Sequence, residues 1–372
     1  MDGRWLRVGA ALATFAVVAI VAVLLIGGIP EAGEDDPITG AFQQVADVLA
    51  LILAVALLAA IAVYLGVERA QTGRIDSVAG QFTTRTIVLI PVAIALNIIL
   101  GATVANALKI PIYLDSIGTI LVGVLAGPLA GAATGFLANV LWSYVIPPPF
   151  QYPPAAAFAI VAAVIGLLAG TYARLGLLRP RAGRPGGQLL LAGAVTAAAV
   201  IGLAWLAFLG YRAFLASIQA GDVSVTPASD NPLFSVLGWL ALLLVVATVL
   251  GLFALLALRR DVTVAYVVVC GLLTGIVAGL ISAPISAGVF SGVTGAGTDF
   301  LVAAFREAGT TIYLAALGQS LISDPIDKIA TFFLVYLVVS AMARRMKARF
   351  PQGERLIERD RAADDGLREA YA

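Results

Sequence analysis

The sequence predicts an all-α, polytopic integral membrane protein with about ten transmembrane helices. Of its 372 residues, 61% are hydrophobic and only 12% are charged, whereas soluble domains are roughly half apolar and about a quarter charged. The mean hydropathy is +1.00. Uncharged stretches approach or exceed the roughly 20 residues that a helix needs to cross a bilayer, and charges or Pro and Gly clusters separate them. These observations predict a helical bundle in a lipid bilayer.

Ten apolar windows mark the predicted helices. They lie near residues 6–28, 43–67, 86–107, 116–127, 129–146, 155–173, 188–215, 233–258, 262–285 and 326–343. The fourth and fifth are short, and Gly127 followed by Pro128 predicts a tight hairpin between them. The first window follows a basic segment, as in a signal peptide, but its length and the lack of a small-residue cleavage pattern indicate a retained helix.

Basic residues recur in every second connecting loop and predict the orientation of the chain. They are Arg69, Arg74, Arg85, Arg174, Arg179, Arg181, Arg184, Arg259, Arg260, Arg344, Arg345, Lys347 and Arg349. The intervening loops are acidic or proline-rich. By the positive-inside rule, the basic loops and both termini are cytoplasmic, in a multi-pass protein of a bacterial-type cytoplasmic (inner) membrane.

Two further segments follow from this orientation. The ninth and tenth helices must run in opposite directions, so residues 286–324 begin and end on the outer side. This stretch is glycine-rich and then apolar, which predicts a re-entrant or surface-lying helical segment packed on protein. Residues 350–372 are strongly charged, and a solvated cytoplasmic tail is favoured over a docking helix.

Small residues recur at four-residue spacing in two of the predicted helical regions. The stripes contain Gly123, Gly127, Gly131 and Gly135, and then Gly271, Gly275 and Gly279. This spacing places small residues on one helix face, where backbones can approach closely. Packing within the chain is the favoured interpretation, and a partner interface or a sliding surface is the alternative.

Residue usage argues against several kinds of chemistry. The chain has no histidine and one cysteine, Cys270, which removes disulfides, imidazole or thiolate metal sites and His-based catalysis. Neither a nucleophile with its base nor a GxxxxGK[ST] phosphate loop is apparent. We therefore expect no enzymatic activity, no cofactor, no metal and no nucleic-acid partner, and a role in binding and moving a small molecule.

Polar and aromatic residues accumulate near the predicted outer ends of the helices. They include Asn106, Tyr113, Asp115, Ser116, Thr119, Asn139, Trp142, Tyr144, Gln151, Tyr152, Ser282, Ser286, Asp299, Tyr313, Gln319, Asp324, Asp327 and Lys328. Polar groups at membrane depth are unfavourable unless they find partners. Their clustering on one side predicts a site that is reached from outside.

Several of these residues have a simpler interpretation. Asp115 precedes a helix and can be its N-cap, and Asp324 with Pro325 and Asp327 resembles a helix start. Capping and ligand contact stay equally open for both aspartates, because a cap at a cavity mouth can do both. Asp324 and Lys328 also have the spacing of a helical ion pair.

The aromatic residues have an ordinary interpretation as membrane-interface residues, whereas Asn139 does not. Trp142 and Tyr152 taken singly are more typical of the interfacial aromatic belt than of a ligand site. Asn139 lies well inside the fifth window, where its amide needs a partner or a ligand.

One long stretch resembles a known family. The segment "VLIPVAIALNIILGATVANALKIPIYLDSIGTILVGVLAGPLAGAATGFLANVLWS" is similar to the first three helices of substrate-binding S components of energy-coupling-factor (ECF) vitamin transporters. The matching positions are Ala95, Leu96, Asn97, Pro111, Leu114, Asp115, Gly127, Pro128, Gly131 and Asn139. Residues 279–305 and 323–345 are similar to the last two helices of a subgroup of that family.

The resemblance covers about two thirds of the chain and implies a six-helix bundle. It assigns helices 1–4 of the family fold to residues 69–187 and helices 5–6 to 259–349. Residues 1–68 are then an N-terminal two-helix membrane extension. Residues 188–258 form an inserted transmembrane hairpin, and residues 350–372 form the charged tail. The family assembles with a transmembrane coupling (T) subunit and ATPase subunits, which the resemblance implies as partners.

The resemblance also implies an outward-opening ligand pocket. Together with the polar residues above, it gives as predicted ligand-binding residues Asp115, Asn139, Trp142, Gln151, Tyr152, Ser282, Asp299, Gln319 and Asp324. For coupling, the family carries an A-x-x-x-A stripe on its first helix. Here the residue four positions after Ala93 is Asn97 instead of a second alanine, so the stripe is altered. Both residues are candidates for helix packing or coupling.

Three functions follow as hypotheses. The first is the binding subunit of an ECF-type ABC importer for a vitamin-like or heterocyclic nutrient, delivered inward with coupling and ATPase subunits. The second is a receptor or regulatory membrane module of the same fold that docks a signalling or enzymatic partner, which the altered stripe and the extra helices favour. Self-sufficient secondary transport ranks last, because no ionisable residue is predicted near the middle of a span.

Overall fold

The protein folds as an all-helical chain. The computed structural model describes residues 3–26, 40–103, 113–148, 150–183, 185–219, 246–295, 298–307 and 309–357. Within these ranges there is no β-strand, which confirms the predicted all-α class. Parts of the predicted spans, namely 27–28, 104–107 and 233–245, lie outside the described residues, as does most of the charged segment, 358–372.

The helices are labelled α1 to α13 over the described ranges. They are α1 Gly3–Ile26, α2 Gly40–Thr72, α3 Asp76–Ala79, α4 Thr84–Leu100, α5 Ile117–Ala126, α6 Pro128–Tyr144, α7 Ala159–Arg174, α8 Gly186–Gln219, α9 Val246–Leu258, α10 Thr263–Phe290, α11 Asp299–Glu307, α12 Ile312–Ala341 and α13 Arg344–Lys347. Two short 3₁₀ helices span Pro153–Phe158 and Gly353–Leu356.

Six of these helices are long and apolar enough to cross a membrane. The spans are Leu6–Ile26, Val55–Thr72, Thr84–Thr103, Pro153–Arg174, Gly186–Trp205 and Thr263–Phe290. The chain is therefore a membrane-embedded helical protein. Of the other four predicted spans, two correspond to the shorter helices α5 and α6. The third is described only as α9, and the fourth is the second half of α12.

Helices α4, α5, α6, α7, α10 and α12 pack into one bundle. Helix α10 lies along α12, α6 lies along α7, and α5 contacts α4, α6, α7 and α12. Outside this bundle, α1 packs on α2, which contacts the Pro153–Phe158 turn, and α8 contacts α10 and α11. The bundle thus contains the helices that the sequence assigns to the family-like core.

Glycine faces allow the helices of the bundle to approach closely. A Cβ on Gly131 would lie 2.7 Å from Gly166 O, and one on Gly135 would lie 2.4 Å from Ala162 O, so both face α7. Such separations are far below ordinary contact distance. This stripe therefore makes packing contacts within the chain.

The second stripe packs against α12. A Cβ on Gly271 would lie 2.6 Å from Ile329 Cα, and one on Gly275 would lie 2.4 Å from Pro325 Cα. Gly279 has more room, with Ser320 Cβ at 3.2 Å. Because glycine has no side chain, this face lets the α10 and α12 backbones come into close contact.

The turn between α5 and α6 depends on Gly127. Its φ of 132° is unfavourable for other residues, and Pro128 then begins α6 at a position that needs no amide donor. Gln81 accepts a hydrogen bond from Leu129 N at 2.8 Å and caps this start.

Ala93 and Asn97 both face α5. A Cβ on Gly118 would lie 2.1 Å from Ala93 O. The Asn97 side chain donates to Thr119 Oγ1 at 2.8 Å and accepts from Gly118 N at 2.7 Å. These two positions therefore join α4 to α5 within the chain.

The basic loops gather at one end of the bundle. Arg85 Nη1 donates to Arg349 O at 3.1 Å, and Arg179 Nε donates to Arg355 O at 3.0 Å. Arg181 N donates to Asp261 Oδ1 at 3.1 Å. The described loops that were predicted to share one face thus meet at a common end, which we call the basic end.

Helix α12 begins earlier than the sequence suggests. Its N-cap is Thr311, whose side chain accepts from Leu314 N, and Pro325 lies inside the helix. The expectation that Asp324 and Pro325 start a helix is therefore wrong. A proline inside a buried membrane helix is tolerated when neighbouring groups compensate for the missing hydrogen bond. Asp327 and Lys328, placed by the sequence at a helix start, consequently lie midway along α12.

Residues 286–324 differ in detail from the predicted re-entrant segment. Their described part contains the end of α10, the nine-residue α11 and the first 13 residues of α12, from Ile312 to Asp324. Helix α11 packs on α12. The segment is thus helical and packed on protein, with its apolar half continuing directly into the last long helix.

Residues 350–357 also differ from the expected solvated tail. Gln352 N donates to Leu125 O at 2.9 Å, and Gln352 Nε2 donates to Gly123 O at 3.1 Å and to Gly170 O at 3.2 Å. Leu356 is fully buried. Accessible carbonyl oxygens at the close α5–α7 contact and the apolar Leu356 explain why this short segment docks at the basic end.

Candidate ligand cavity

A partly enclosed cavity of about 100 Å³ lies at the end of the bundle opposite the basic end. Its walls come from the loop 113–116, the second half of α6, the Pro153–Phe158 turn with α7, the facing parts of α10 and α12, and the loop after α10 at Thr294. The lining residues are Tyr113, Asp115, Ser116, Asn139, Trp142, Tyr152, Ala155, Phe158, Val161, Ala162, Ile165, Ala278, Ser282, Ser286, Thr294, Gln319, Ser320, Asp324 and Lys328.

Seven of the nine predicted ligand-binding residues line this cavity. They are Asp115, Asn139, Trp142, Tyr152, Ser282, Gln319 and Asp324. Gln151 and Asp299 lie elsewhere. Gln151 Nε2 donates to Ser143 O at 2.7 Å, and the Asp299 carboxylate accepts from Thr294 N at 3.0 Å and Gly295 N at 2.7 Å. Both side chains support loops beside the cavity.

The site prediction omitted an apolar wall on α7. Phe158, Val161, Ala162 and Ile165 face the cavity, and their spacing of three, four and seven residues is that of one helix face. The signal was present in the sequence. It could not be distinguished from an ordinary packing face, because apolar periodicity alone does not indicate what the face contacts.

A buried ionic cluster joins α12 to the loop 113–116. Lys328 Nζ forms a salt bridge with Asp327, donates to Ser116 Oγ at 2.9 Å and lies 3.8 Å from Asp115 Oδ1. The predicted Asp324–Lys328 helical pair does not form among these contacts. Lys328 instead turns towards the loop, where three oxygen atoms surround its ammonium group.

Asp327 fixes the loop backbone as well. Its Oδ1 accepts from Tyr113 N at 3.1 Å and from Leu114 N at 2.8 Å. Leu114 has a φ of 52°, a conformation that is unfavourable for a leucine. The two hydrogen bonds to a buried carboxylate compensate for this strain, so Asp327 shapes the cavity from behind its wall.

Asp115 has a different role from the predicted cap. The N-cap of α5 is Ser116, and no side-chain capping hydrogen bond is present. Burial raises the pKa of the Asp115 carboxyl above its usual range, while the positive charge of Lys328 opposes the shift. Its side chain keeps 29% exposure and borders the cavity, where it can meet a ligand.

Polar groups from α10 and α12 form a second patch. Ser282 Oγ donates to Asp324 Oδ2 at 3.4 Å and lies 3.3 Å from Ser320 Oγ. Gln319 Nε2 donates to Ser323 Oγ at 2.6 Å and more weakly to Tyr113 OH at 3.4 Å. The Asp324 carboxylate thus accepts one long hydrogen bond, from the neutral hydroxyl group of Ser282.

Asn139 is a buried amide on the cavity wall. It is only 7% exposed, lies on the cavity wall and makes no hydrogen bond to any described residue. A buried amide normally finds a partner, because leaving it unpaired is unfavourable by about 1–3 kcal/mol. Its free donors and acceptor therefore remain available to a molecule in the cavity.

Two aromatic side chains also line the cavity. The Trp142 and Tyr152 ring centroids are 5.2 Å apart, while Trp142 Nε1 donates to Phe150 O at 2.9 Å and Tyr152 OH donates to Thr294 O at 2.7 Å. Burial raises the pKa of the Tyr152 hydroxyl, so it stays a neutral donor. Their polar atoms are thus satisfied by backbone carbonyls.

The arrangement is suited to binding. It combines carboxylates, a free amide and aromatic faces, the pattern of a small-molecule site. Among the described residues, no three His, Cys, Asp or Glu side chains form a group that could hold a metal ion. Comparison of the chain with protein-family models, with curated proteins and with solved structures gives no match.

Proposed function

We propose that this protein is the membrane-embedded substrate-binding subunit of an ECF-type importer. It captures a vitamin-like or heterocyclic small molecule from the outer face and releases it inward. In this proposal the chain crosses a bacterial-type inner membrane about ten times, with both termini cytoplasmic. The basic end faces the cytoplasm, where the coupling and ATPase subunits assemble, and the cavity faces outside.

One observation carries the proposal. Seven residues chosen from the sequence, which are scattered from Asp115 to Asp324, converge on one cavity at the end of the bundle opposite the basic loops. The positive-inside rule assigns that end to the outer side. The sequence resemblance and the location of the cavity therefore point to the same ligand route.

The size of the cavity indicates that capture involves movement. Most small-molecule sites measure roughly 300–1,000 Å³, whereas this cavity measures about 100 Å³. A ligand of vitamin size needs additional room. The loop 113–116, the Pro153–Phe158 turn and the loop that contains Thr294 are wall segments outside the long helices, so we assign the opening motion to them.

Purification from native membranes in a mild detergent tests the proposed function. We expect a small molecule to remain bound without ATP, and a coupling subunit and ATPase subunits to co-purify with the chain. Mass spectrometry identifies both the small molecule that is released and the proteins that co-purify. Absence of a retained molecule and of any ATPase subunit would contradict the proposal.

A receptor or regulatory module is the second candidate function. Ala93 and Asn97, the positions of the altered coupling stripe, are buried against α5 and are unavailable to a partner. The same purification separates the two functions. A retained ligand together with a kinase, cyclase or processing enzyme, and without an ATPase, favours the receptor.

A further inference from the structure

The charges around the cavity are unbalanced. Within the described part of the chain, the ionic cluster and its surroundings contain three carboxylates, Asp115, Asp324 and Asp327, but a single ammonium group on Lys328. Lys328 and Asp327 form a salt bridge, and Asp327 also accepts two backbone hydrogen bonds. Asp115 and Asp324 are left facing the cavity without full compensation.

The remaining contacts of these two carboxylates are weak. Asp115 lies 3.8 Å from Lys328 Nζ, which already has two closer partners. Asp324 accepts a 3.4 Å hydrogen bond from Ser282. Burial of an ionised carboxylate is strongly unfavourable unless a positive charge or several donors balance it. Without such a balance a buried carboxyl favours its protonated form, as the raised pKa of Asp115 indicates. A cation in the cavity would supply the balance for the ionised form, and an anion would worsen it.

Asn139 gives a second, independent indication of a ligand. Its amide is nine-tenths buried, lies on the cavity wall and has no partner among the described residues. An amide both donates and accepts. It is therefore suited to a polar substituent on the same molecule, which a bare inorganic ion lacks.

The aromatic part of the cavity lining favours an organic cation. Trp142, Tyr152 and Phe158 present aromatic surface to the cavity, and cations bind favourably over the faces of such rings, most strongly over tryptophan. The apolar α7 wall beside them would contact a ring or alkyl group. Among the described residues, no three acidic, histidine or cysteine side chains lie in an arrangement that could hold a metal ion.

We propose that the ligand is an organic cation with one heterocyclic ring, whose positive charge lies by Asp115 and Asp324 and whose polar substituent hydrogen-bonds to Asn139. This inference rests on the proposed function and specifies its substrate class. The ring lies against Trp142 and Phe158. Lys328 serves as a structural counter-ion to Asp327 and not as a ligand for an anion.

A series of three probes of similar size tests the charge preference. They are 1-methylnicotinamide, nicotinamide and nicotinate, which carry charges of about +1, 0 and −1 at neutral pH. Binding to the purified full chain in detergent is measured by equilibrium dialysis. We expect the cation to bind at least about tenfold more tightly than nicotinamide, which corresponds to about 1.4 kcal/mol, and nicotinate to bind weakest.

Substitutions of the two cavity carboxylates test whether the preference for the cationic probe arises in the cavity. Asp115→Asn and Asp324→Asn keep side-chain size and should each reduce the cation preference to less than about threefold. Glu354→Gln removes an exposed carboxylate at the basic end and should leave the preference unchanged. Thermal unfolding of each variant checks that the fold is retained, and competition by NaCl against KCl checks for an inorganic cation site.

The outcomes separate this inference from the proposed function. Equal or undetectable binding of the three probes, tighter binding of nicotinate, or full competition by sodium overturns the organic-cation assignment. If native protein then still retains a neutral or acidic compound, the proposed function stands and only the substrate class is wrong. A retained compound that is cationic at neutral pH supports both.

Discussion

Lys328 Nζ lies 2.9 Å from Ser116 Oγ, although 212 residues separate them in sequence. This contact and the adjacent Asp327 salt bridge join the middle of α12 to the loop that begins α5. Two elements far apart in the chain thereby form one wall of the cavity. Several consequences of this arrangement can be measured.

Replacement of Asp327 by Asn should destabilise the protein strongly. The change leaves Lys328 buried without its main carboxylate partner, and breaking such a pair typically costs about 3–5 kcal/mol. Thermal unfolding in detergent should show a large decrease in the melting temperature. The double variant Asp327→Asn with Lys328→Met removes both charges and should recover much of the loss. Equal stability of the single variant and wild type would contradict this role.

Asp115→Asn should separate ligand binding from folding. Asp115 makes no capping hydrogen bond at the start of α5, so the melting temperature should stay within a few degrees of wild type. Ligand retention should fall, because the variant removes a charge that faces the cavity. Ser116→Ala, which removes the Lys328 contact but no charge, serves as the control and should lower retention less. A collapse in stability with Asp115→Asn would indicate a structural role instead.

Gly275→Ala should loosen the contact between α10 and α12. The added methyl group would lie 2.4 Å from Pro325 Cα, and overpacking of this kind costs about 1–3 kcal/mol. The matched control is Gly202→Ala on α8, where nothing lies within 4 Å of the added atom. We expect the control to be neutral or slightly stabilising, since alanine favours helix. If both variants have similar melting temperatures, the close helix contact is not important for stability.

Gln352→Ala should release the docked segment at the basic end. It removes the side-chain hydrogen bonds to Gly123 O and Gly170 O, which hold residues 350–357 against α5 and α7. Limited trypsin digestion should then cleave faster at Arg349 and Arg355. Exposed Glu354→Ala is the control and should be digested at the wild-type rate. Unchanged digestion of the Gln352 variant would show that the remaining contacts, including the buried Leu356 and the hydrogen bond from residue 352 N to Leu125 O, are sufficient for docking.

Much of the fold is predictable from the sequence because lipid imposes strong constraints. Apolar length indicates the long helices, and alternation of basic loops groups the residues that meet at the basic end. Gly275 and Gly131 likewise signal close packing through their spacing. The side on which polar residues cluster also follows, since unpartnered polar groups are unfavourable in hydrocarbon.

Other features depend on contacts that no local pattern reveals. The Asp324-Pro325 pair looks like a helix start, but Thr311 provides the cap and tertiary packing tolerates the proline. The choice of Asp327 and Ser116 as partners for Lys328 likewise depends on the folded loop. Four-residue spacing suggested Asp324 as the partner of Lys328. Such spacing identifies only neighbours on the same helix and gives no information about contacts with other elements.

The location of Asp327 and Lys328 midway along α12 also alters one argument about function. Secondary transport ranked last because no ionisable residue was expected near the middle of a span, and the early start of α12 weakens that premise. The two groups are paired with each other, however, as expected for a structural role. Ion-driven uptake by the chain alone in proteoliposomes would revive that hypothesis.

The most direct test of the ligand cavity measures the small molecule that the purified protein retains. Asn139 has no partner among the described residues, so Asn139→Ala should preserve the melting temperature and reduce the retained molecule at least about tenfold, consistent with loss of a hydrogen bond of about 1.4 kcal/mol. Thr103→Ala, a change at an exposed residue just after α4, should retain the wild-type amount. Equal retention by all three proteins, or no retained molecule in any of them, would contradict the account.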